Sequence, residues 1–512
     1  MRINPKHAEK SRVFVSFLEG APLVLAVVFP LLCCQSSLLW AQSEAGQTTA
    51  TETTEQKIEH LTAAVAQAQT EMEAYRKQLL ELRGQLAALQ QQMAAEKAVS
   101  PPATQPAVAN AASLEEIRER QAIEESQIAT HDLTKVETES KYPLTVTGLL
   151  LFNGFVNTRQ VDISASPAYA IPGPGSTGLS LRQTVLGLNA RGPHLFDATS
   201  HADLRVDFFA NGIQSNYAAS GLLRLRTAHA ALDWRTTEAF IELDRSILEP
   251  NQPSSLVAIA QPELAWAGNL WNWSPQIGVS HRFALSGSSR INAQAALIDT
   301  SDPQMPGATS SPSPVSQTER SRWPGTEARV AFLHGVNGNG PEIGAAGYFS
   351  PHRTADSDRF DAWAGAMDLR LPLTRYFEMT ANAYRGQALA GLGGGGYVNY
   401  YYAYAGTTEI VRALDDVGGW AQLKARAGQR VEMNAGYGAD NPLAKEIQAA
   451  ISSSGYSYYS GLARNRSLFS NAIYSPSAYL LFSLEYRRLW TNYGTGSPAY
   501  SNVVGIGAGY KF

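Results

Sequence analysis

The sequence has few cysteines, few charged residues and, beyond its N-terminus, no long apolar run. Its two cysteines, Cys33 and Cys34, are adjacent in an N-terminal apolar segment, so the rest of the 512 residues contains neither a disulfide framework nor a thiolate metal site. Charged residues make up 17%, below the value of about 25% for a typical soluble domain. The formal net charge of -4 gives no reason to expect a nucleic-acid partner.

Residues 1–41 have the pattern of a secretory signal. A segment rich in lysine and arginine precedes the apolar run APLVLAVVFPLL, and LLWAQ contains a cleavage site after Ala41. The alternative is a membrane anchor, but Pro22 and Pro30 interrupt an apolar run that is already short for a spanning helix. We predict a signal peptide that is removed, and no spanning helix in the mature chain.

Residues 53–97 have the heptad pattern of a coiled coil. The apolar seam is only two positions per heptad wide, which is narrower than the stripe of a helix packed on a globular core. The predicted seam residues are Ile58, Leu61, Val65, Met72, Leu79, Leu82, Leu86 and Leu89. One helix alone cannot bury this seam, so the pattern predicts an oligomer, although the mixed seam residues do not fix the number of chains. Residues 98–142 follow as a Pro/Ala-rich linker with a short, charged helical segment.

From residue 143 to residue 512 the helical period gives way to about sixteen short segments that alternate apolar and polar residues. The connections between these segments alternate in length. The short ones include 235–236, 428–429 and 475–476, and the long ones are 158–180, 246–275, 301–325, 387–416 and 439–467. Tight turns at one rim and long loops at the other are typical of a transmembrane barrel with an even number of strands. We predict an all-β transmembrane barrel of about 16 antiparallel strands, preceded by the coiled coil.

The last segment, SNVVGIGAGYKF, is predicted to close this barrel. Its apolar face ends in Tyr510 and Phe512, while glycines occupy most of the other face. In RINAQAAL and YLLFSLEYR, charged and amide residues likewise alternate with apolar ones, and a water-filled lumen accepts such an inner face. We expect Tyr510 and Phe512 to form the signal that the outer-membrane barrel assembly machinery recognises.

The chain resembles the DcaP-like outer-membrane porins over about residues 53–512. The phrases that carry the resemblance are SKYPLTVTGLLLFNGF, SLRQTVLGLNARGP, GLLRLRTAHAALDW and AGNLWNWSPQI. Members of that family are trimeric diffusion channels for small, often anionic solutes such as dicarboxylates. The resemblance therefore implies a trimer, passive diffusion and a preference that leans towards anions. The stretch IELDRSILEPNQP departs from the family in being more acidic.

No motif indicates an enzyme or a cofactor. Both GPGSTG and GLGGGG match a dinucleotide-binding glycine pattern, but neither lies between a strand and a helix, which that fingerprint requires. The nine histidines show no HExxH motif and no paired ligand spacing, and no P-loop is present. His229 and His281 lie in predicted strands without a supporting set of residues. We expect no catalytic residue, no metal ligand and no cofactor.

Charged residues on the inner face of the predicted strands, and two acidic residues in a loop, are the candidate pore-lining residues. They are Arg205, Asp207, Arg224, Arg226, Glu242, Asp244, Glu249 and Glu263. Any one of them has the simpler interpretation of a wall residue in an ion pair. The apolar loop 246–275 is predicted to be buried, either in the lumen or at a subunit contact. In the lumen, its two glutamates would face the arginines and create a transverse field.

Two functions are compatible with this pattern. The first is an outer-membrane porin of a Gram-negative-type bacterium, contacting membrane lipid, assembled as a homo-oligomer and passing small hydrophilic solutes by passive diffusion. The second is a structural or adhesive barrel that the coiled coil tethers in the periplasm, with conduction secondary. Single-channel conductance would distinguish them.

Overall fold

The computed structural model describes the barrel region and leaves out most of the N-terminal third. The described residues are 135–136, 143–210, 221–303, 305, 315–335, 340–405, 408–453 and 461–512. The predicted signal peptide, coiled coil and nearly all of the predicted linker lie outside them. Among the described residues, no helix is long and apolar enough to cross a membrane.

The described part of the chain is almost entirely β-structure. In chain order its strands are β1 (Lys135–Val136), β2 (Leu144–Val161), β3 (Ala170–Ser180), β4 (Val185–Leu195), β5 (Ala198–Asp207), β6 (Arg224–Asp233), β7 (Thr237–Arg245), β8 (Trp273–Ser286), β9 (Ser289–Ile298), β10 (Gly325–His334), β11 (Glu342–Arg353), β12 (Arg359–Pro372), β13 (Phe377–Gln387), β14 (Tyr400–Ala405), β15 (Thr408–Ala413), β16 (Asp415–Ala427), β17 (Val431–Pro442), β18 (Leu462–Tyr474), β19 (Leu480–Tyr493) and β20 (Ala499–Lys511). The helices are α1 (Gln317–Ser321) and α2 (Ala444–Ser453), with 3₁₀ turns at Ala390–Leu392 and Gly395–Tyr397.

One antiparallel sheet closes on itself into a barrel of 16 strands in the described residues. Neighbouring barrel strands follow the chain order, except that β13 pairs with β16 because β14 and β15 form a separate hairpin. The barrel closes where β20 pairs with β2, from Leu149↔Lys511 to Asn157↔Val503. The segments β3 and β4 occupy one position in the barrel, because β3 pairs with the second half of β2 and β4 with its first half. The closed sheet leaves its backbone groups paired, which a bilayer requires. The prediction of about 16 antiparallel strands is confirmed.

One predicted loop is wrong. The sequence predicts a long connection over residues 158–180, where Pro172, Pro174 and several glycines occur. The structure instead places Ala170–Ser180 in strand β3, and only residues 162–169 connect it to β2. Proline lacks an N–H and is tolerated in a strand whose other edge is unpaired. In the described ladders, β3 pairs with β2 alone.

The two faces of the strands differ as the sequence predicts. On β19, Leu484 is 60% exposed while its neighbour Glu485 is 1% exposed, and the same alternation continues through Tyr486 and Arg487. Large apolar side chains thus lie on the outside of the barrel and polar ones on the inside. This is the arrangement that a lipid exterior and a hydrated lumen favour.

Short and long connections segregate to opposite rims. At one rim, β4 and β5 are joined by Phe196 and Asp197 alone, both with left-handed φ angles of 52° and 61°. Such angles at both central residues fit the right-handed twist of a tight hairpin. At the other rim lie the long connections 246–272, 299–324, 388–414 and 443–461, which contain the helices and the β14–β15 hairpin.

Candidate functional site: the lumen and loop 246–272

The loop 246–272, between β7 and β8, lies inside the barrel. Its backbone carbonyls accept hydrogen bonds from asparagine side chains on distant strands. Asn382 Nδ2 on β13 donates to Leu248 O at 2.8 Å, and Asn465 Nδ2 on β18 donates to Trp266 O at 2.9 Å. On the same strand as Asn465, Asn471 Nδ2 donates to the Ser254 carbonyl at 2.8 Å. Strands β13 and β18 are remote from β7 and β8 in the barrel, so the loop crosses the lumen.

Amide side chains hold the loop because it has no strand ladder of its own to satisfy its backbone. Gln183 is the strongest example. It lies in the break between β3 and β4, and its Nε2 donates to Val257 O at 2.7 Å. Its Oε1 accepts from the backbone amides of Ile259 at 2.7 Å and Ala260 at 2.9 Å. No pattern in the sequence points to Gln183, since its partners in the loop are more than seventy positions away.

Glycines on the inner wall make room for the loop. A Cβ atom at Gly505 on β20 would lie 2.5 Å from Val257 Cγ1, and one at Gly438 on β17 would lie 2.1 Å from Ala267 O. Both distances are shorter than the van der Waals contact between two non-bonded carbon atoms or between a carbon and an oxygen atom. The glycine face of the last strand, which the sequence left unexplained, therefore accommodates the loop.

The apolar residues of the loop are buried within the barrel. Leu264 is 3% exposed, Trp266 is 1% exposed and Leu270 is fully buried. The Trp266 ring stacks on the Tyr397 ring with 3.6 Å between centroids. The Trp271 ring contacts the Trp266 ring edge-on, with 6.1 Å between centroids. The sequence allows two placements of this loop, in the lumen or at a subunit contact. In the structure the loop lies in the lumen, and the barrel alone buries these side chains.

A cluster of arginines lies on the wall beside this loop. Arg224 on β6 donates to both oxygens of Asp207, through Nε at 2.9 Å and Nη2 at 2.5 Å, and also to Ala260 O of the loop at 2.8 Å. Arg226 Nη1 lies 3.9 Å from the same carboxylate. Both guanidinium groups lie over the Trp273 ring, at 5.0 and 5.1 Å from its centroid. One buried carboxylate thus serves two partly exposed arginines.

Three other predicted residues lie on the same side of the wall. Arg205 Nη2 donates to Asn189 Oδ1 at 2.7 Å. The Glu242 carboxylate is 3.8 Å from His229, and Asp244 Oδ1 accepts from the Arg245 amide at 2.7 Å. The structure therefore gathers Arg205, Asp207, Arg224, Arg226, Glu242 and Asp244 on strands β5, β6 and β7.

The expected arrangement of the two loop glutamates is not found. Glu249 and Glu263 do not face the arginines of β5 and β6. Glu249 accepts from the Trp420 indole N–H at 3.0 Å, and Glu263 lies 3.2 Å from Arg487 Nη1 on β19. The two carboxyl groups lie against strands β16 and β19 instead, so the transverse field cannot arise from this pairing.

Burial also changes the protonation of these glutamates. Desolvation raises the pKa of Glu249 well above its ordinary value, and the Trp420 hydrogen bond opposes this only partly. Desolvation raises the pKa of Glu263 to about 8, with Arg487 lowering it and Glu485 raising it. Burial therefore favours the neutral form of both carboxyl groups, which lessens the negative charge that they bring to the passage.

The chain matches no protein-family model, and no curated protein matches it. Among solved structures, the outer membrane channel DcaP of Acinetobacter baumannii is similar at 16% identity, covering 74% of this chain and 100% of that one, with a TM-score of 0.56. An anion-selective porin from Comamonas acidovorans has 10% identity over 73% of this chain and 100% of its own, with a TM-score of 0.46. A Salmonella typhi OmpF structure has 12% identity over 72% and 98%, with a TM-score of 0.43.

The similarity to the DcaP channel shows that the two barrels share a fold. The predicted resemblance to DcaP-like porins is confirmed at that level. The class defined by the fold is therefore a sixteen-stranded barrel with a loop inside its lumen. The two other similarities have TM-scores too low to support an argument about this chain.

Proposed function

We propose that this protein is an outer-membrane porin through which small hydrophilic solutes pass by passive diffusion. The observation that carries the proposal is the loop 246–272, held across the lumen of a closed barrel beside partly exposed arginines. A barrel whose only role was structural would have no need of a charged inner wall and a long internal loop. The shared fold with an outer membrane channel supports the same function.

We also propose that the passage favours anions. Arg224 and Arg226 share one carboxylate, Asp207, and are 23% and 19% exposed, so solutes reach them. Positive charge at a narrow point of a pore selects for negative solutes. The loop glutamates oppose this charge only weakly, because burial raises the pKa of both and favours their neutral form. Dicarboxylates are the solutes that the resemblance implies, and two neighbouring guanidinium groups would attract their two carboxylates.

Planar-bilayer recordings test both parts of the proposal. The wild-type protein should give discrete conductance steps, and a salt gradient should give a reversal potential of the sign for anion preference. Replacing Arg224 and Arg226 together by glutamine should shift that potential towards cations. The control is Arg375→Gln, which removes one positive charge from an exposed turn at the rim and should leave the reversal potential unchanged. Absence of conductance steps would instead favour the structural or adhesive barrel.

The remaining parts of the proposal concern assembly and placement. We propose a trimer in the outer membrane of a Gram-negative-type bacterium. The coiled coil of residues 53–97 would lie in the periplasm, and the short-turn rim of the barrel would face the periplasm. The exposed apolar outer face of the strands supports the contact with lipid. Tyr510 and Phe512 would be recognised by the barrel assembly machinery. No bound cofactor is needed for diffusion.

A further inference from the structure

Two histidines and a glutamate come together on the inner wall near the short-turn rim. Register brings them together, because Asp203 on β5 lies opposite His229 on β6, which lies opposite Glu242 on β7. His201 is two residues before Asp203 and therefore shares its face, and Glu238, four residues before Glu242, likewise shares the face of Glu242. The ligand atoms of His201, His229 and Glu238 all lie within 4.8 Å of one another.

The distances among these side chains fit a small metal ion. His229 Nε2 lies 3.4 Å from Glu238 Oε1, and donors around a tetrahedral zinc ion are about 3.4 Å apart. Glu242 Oε2 lies 3.8 Å from the same nitrogen and supplies a fourth ligand position. The imidazole rings of His201 and His229 are 5.2 Å apart between centroids and tilted by 51°.

A further carboxylate lies beside the Nδ1 atom of each histidine. His201 Nδ1 lies 3.1 Å from Asp233 Oδ2, which leaves its Nε2 for a ligand. His229 Nδ1 lies 3.7 Å from Asp203 Oδ2, which leaves its Nε2 facing Glu238. Metal-binding histidines typically use the second ring nitrogen in this way, because a carboxylate there fixes the ring and makes the ligand nitrogen more basic.

We propose that His201, His229 and Glu238 bind one divalent transition-metal ion of the zinc type, with Glu242 or water as the fourth ligand. Imidazole with carboxylate suits Zn²⁺, Cu²⁺ or Ni²⁺, whereas Mg²⁺ requires oxygen ligands. The side chains are between 21% and 32% exposed, so an ion in the lumen reaches them. No spacing in the sequence points to the site, because each ligand comes from a different strand.

Such a site would let a metal ion alter the charge of the inner wall. The ligand region contains the carboxylates of Asp203, Asp233, Glu238 and Glu242, which attract cations, and Arg205 Nη1 lies 3.5 Å from Asp203. Adding two positive charges there would make the wall more positive towards the short-turn rim. The inference does not depend on the proposed function, because metal binding is measured without any transport.

Calorimetric titration of the full chain in detergent micelles with ZnCl₂ tests the site. We expect one saturable Zn²⁺ site per chain and no saturable Mg²⁺ binding. His229→Ala should weaken Zn²⁺ binding by at least tenfold. Asp233→Asn, which removes only an orienting group, should weaken it by about 10- to 100-fold. His281→Ala is the matched control, since His281 bonds Thr237 Oγ1 and lies outside the cluster.

Two results would overturn the proposal. One is the absence of saturable Zn²⁺ binding to the wild-type protein. The other is saturable binding with the same affinity in wild type and Asp233→Asn, whether or not His229→Ala yields a folded barrel. Binding that is weakened in both His229→Ala and Asp233→Asn and unchanged in His281→Ala supports the proposed site.

Discussion

Adding one methyl group at Gly505 should displace the internal loop, whereas adding one at Gly507 should not. Both glycines lie on the inner face of β20 and both face the loop. A Cβ at Gly505 would lie 2.5 Å from Val257 Cγ1, but one at Gly507 would lie 3.4 Å from the nearest atoms of Leu256. The first distance is a steric clash and the second is an ordinary van der Waals contact. Gly505→Ala and Gly507→Ala are therefore a matched pair.

The magnitude follows from the cost of overpacking. Forcing an extra methyl group into a well-packed interior costs about 1–3 kcal/mol, which raises the population of displaced loop by about 5- to 150-fold. Val257 is β-branched, so it has few alternative rotamers with which to avoid the clash. Displacement widens the passage. We expect Gly505→Ala to give a larger or more variable single-channel conductance, and Gly507→Ala to match the wild type.

A double variant separates this effect from damage to the barrel. Val257→Ala removes the Cγ atoms that clash, so Gly505→Ala combined with Val257→Ala should restore conductance towards the wild-type value. Heat-dependent electrophoretic mobility of each preparation shows that the barrel has formed. If Gly505→Ala conducts like the wild type in a folded barrel, the loop does not pack against β20 and the reasoning fails.

Three further predictions concern pH, export and assembly. Because burial raises the pKa of Glu263 from 4.5 to about 8, loop anchoring should be strongest below about pH 4.5 and weaken as pH rises towards 8. Conductance should therefore increase over that range in the wild type and less so in Glu263→Gln; an equal increase in both contradicts this assignment. Phe512 exchanges two backbone hydrogen bonds with Gly148, at 2.8 and 3.1 Å. Deleting Phe512 should therefore lower the yield of protein in the outer membrane without changing conductance. A normal yield would count against a role of Phe512 in barrel assembly. Removing residues 42–100 should weaken the oligomer and leave a folded barrel, and light scattering that finds the full mature protein monomeric would refute the coiled-coil prediction.

The barrel could be predicted because its two faces meet two different solvents. Strand β12 begins at Arg359 and ends at Pro372, which are the bounds that the alternation predicts. Lipid outside and water inside enforce that alternation on most strands. Strand β3 escaped prediction because its prolines and glycines remove the signal, and its unpaired edge tolerates them. The alternation therefore reveals a strand only where both faces carry side chains.

The site was predicted less completely, because its contacts are between residues distant in the chain. Inward charges such as Arg224 and Asp207 could be identified from strand periodicity. The partners of Glu249 and Glu263 could not, because Trp420 and Arg487 come from the far side of the barrel. Gln183 and the histidine cluster are likewise products of strand register. Register depends on loop and turn geometry that composition does not encode.

The central claim is that loop 246–272 narrows a conducting lumen, and single-channel conductance of a loop-deletion variant tests it most directly. Removing residues 255–270 leaves the strands β7 and β8 intact and frees the lumen of the segment that contacts Gln183, Asn465 and Gly505. The account predicts discrete conductance steps in the wild type and larger steps in the deletion variant. Steps of equal size in both proteins, or no steps in either, would contradict it.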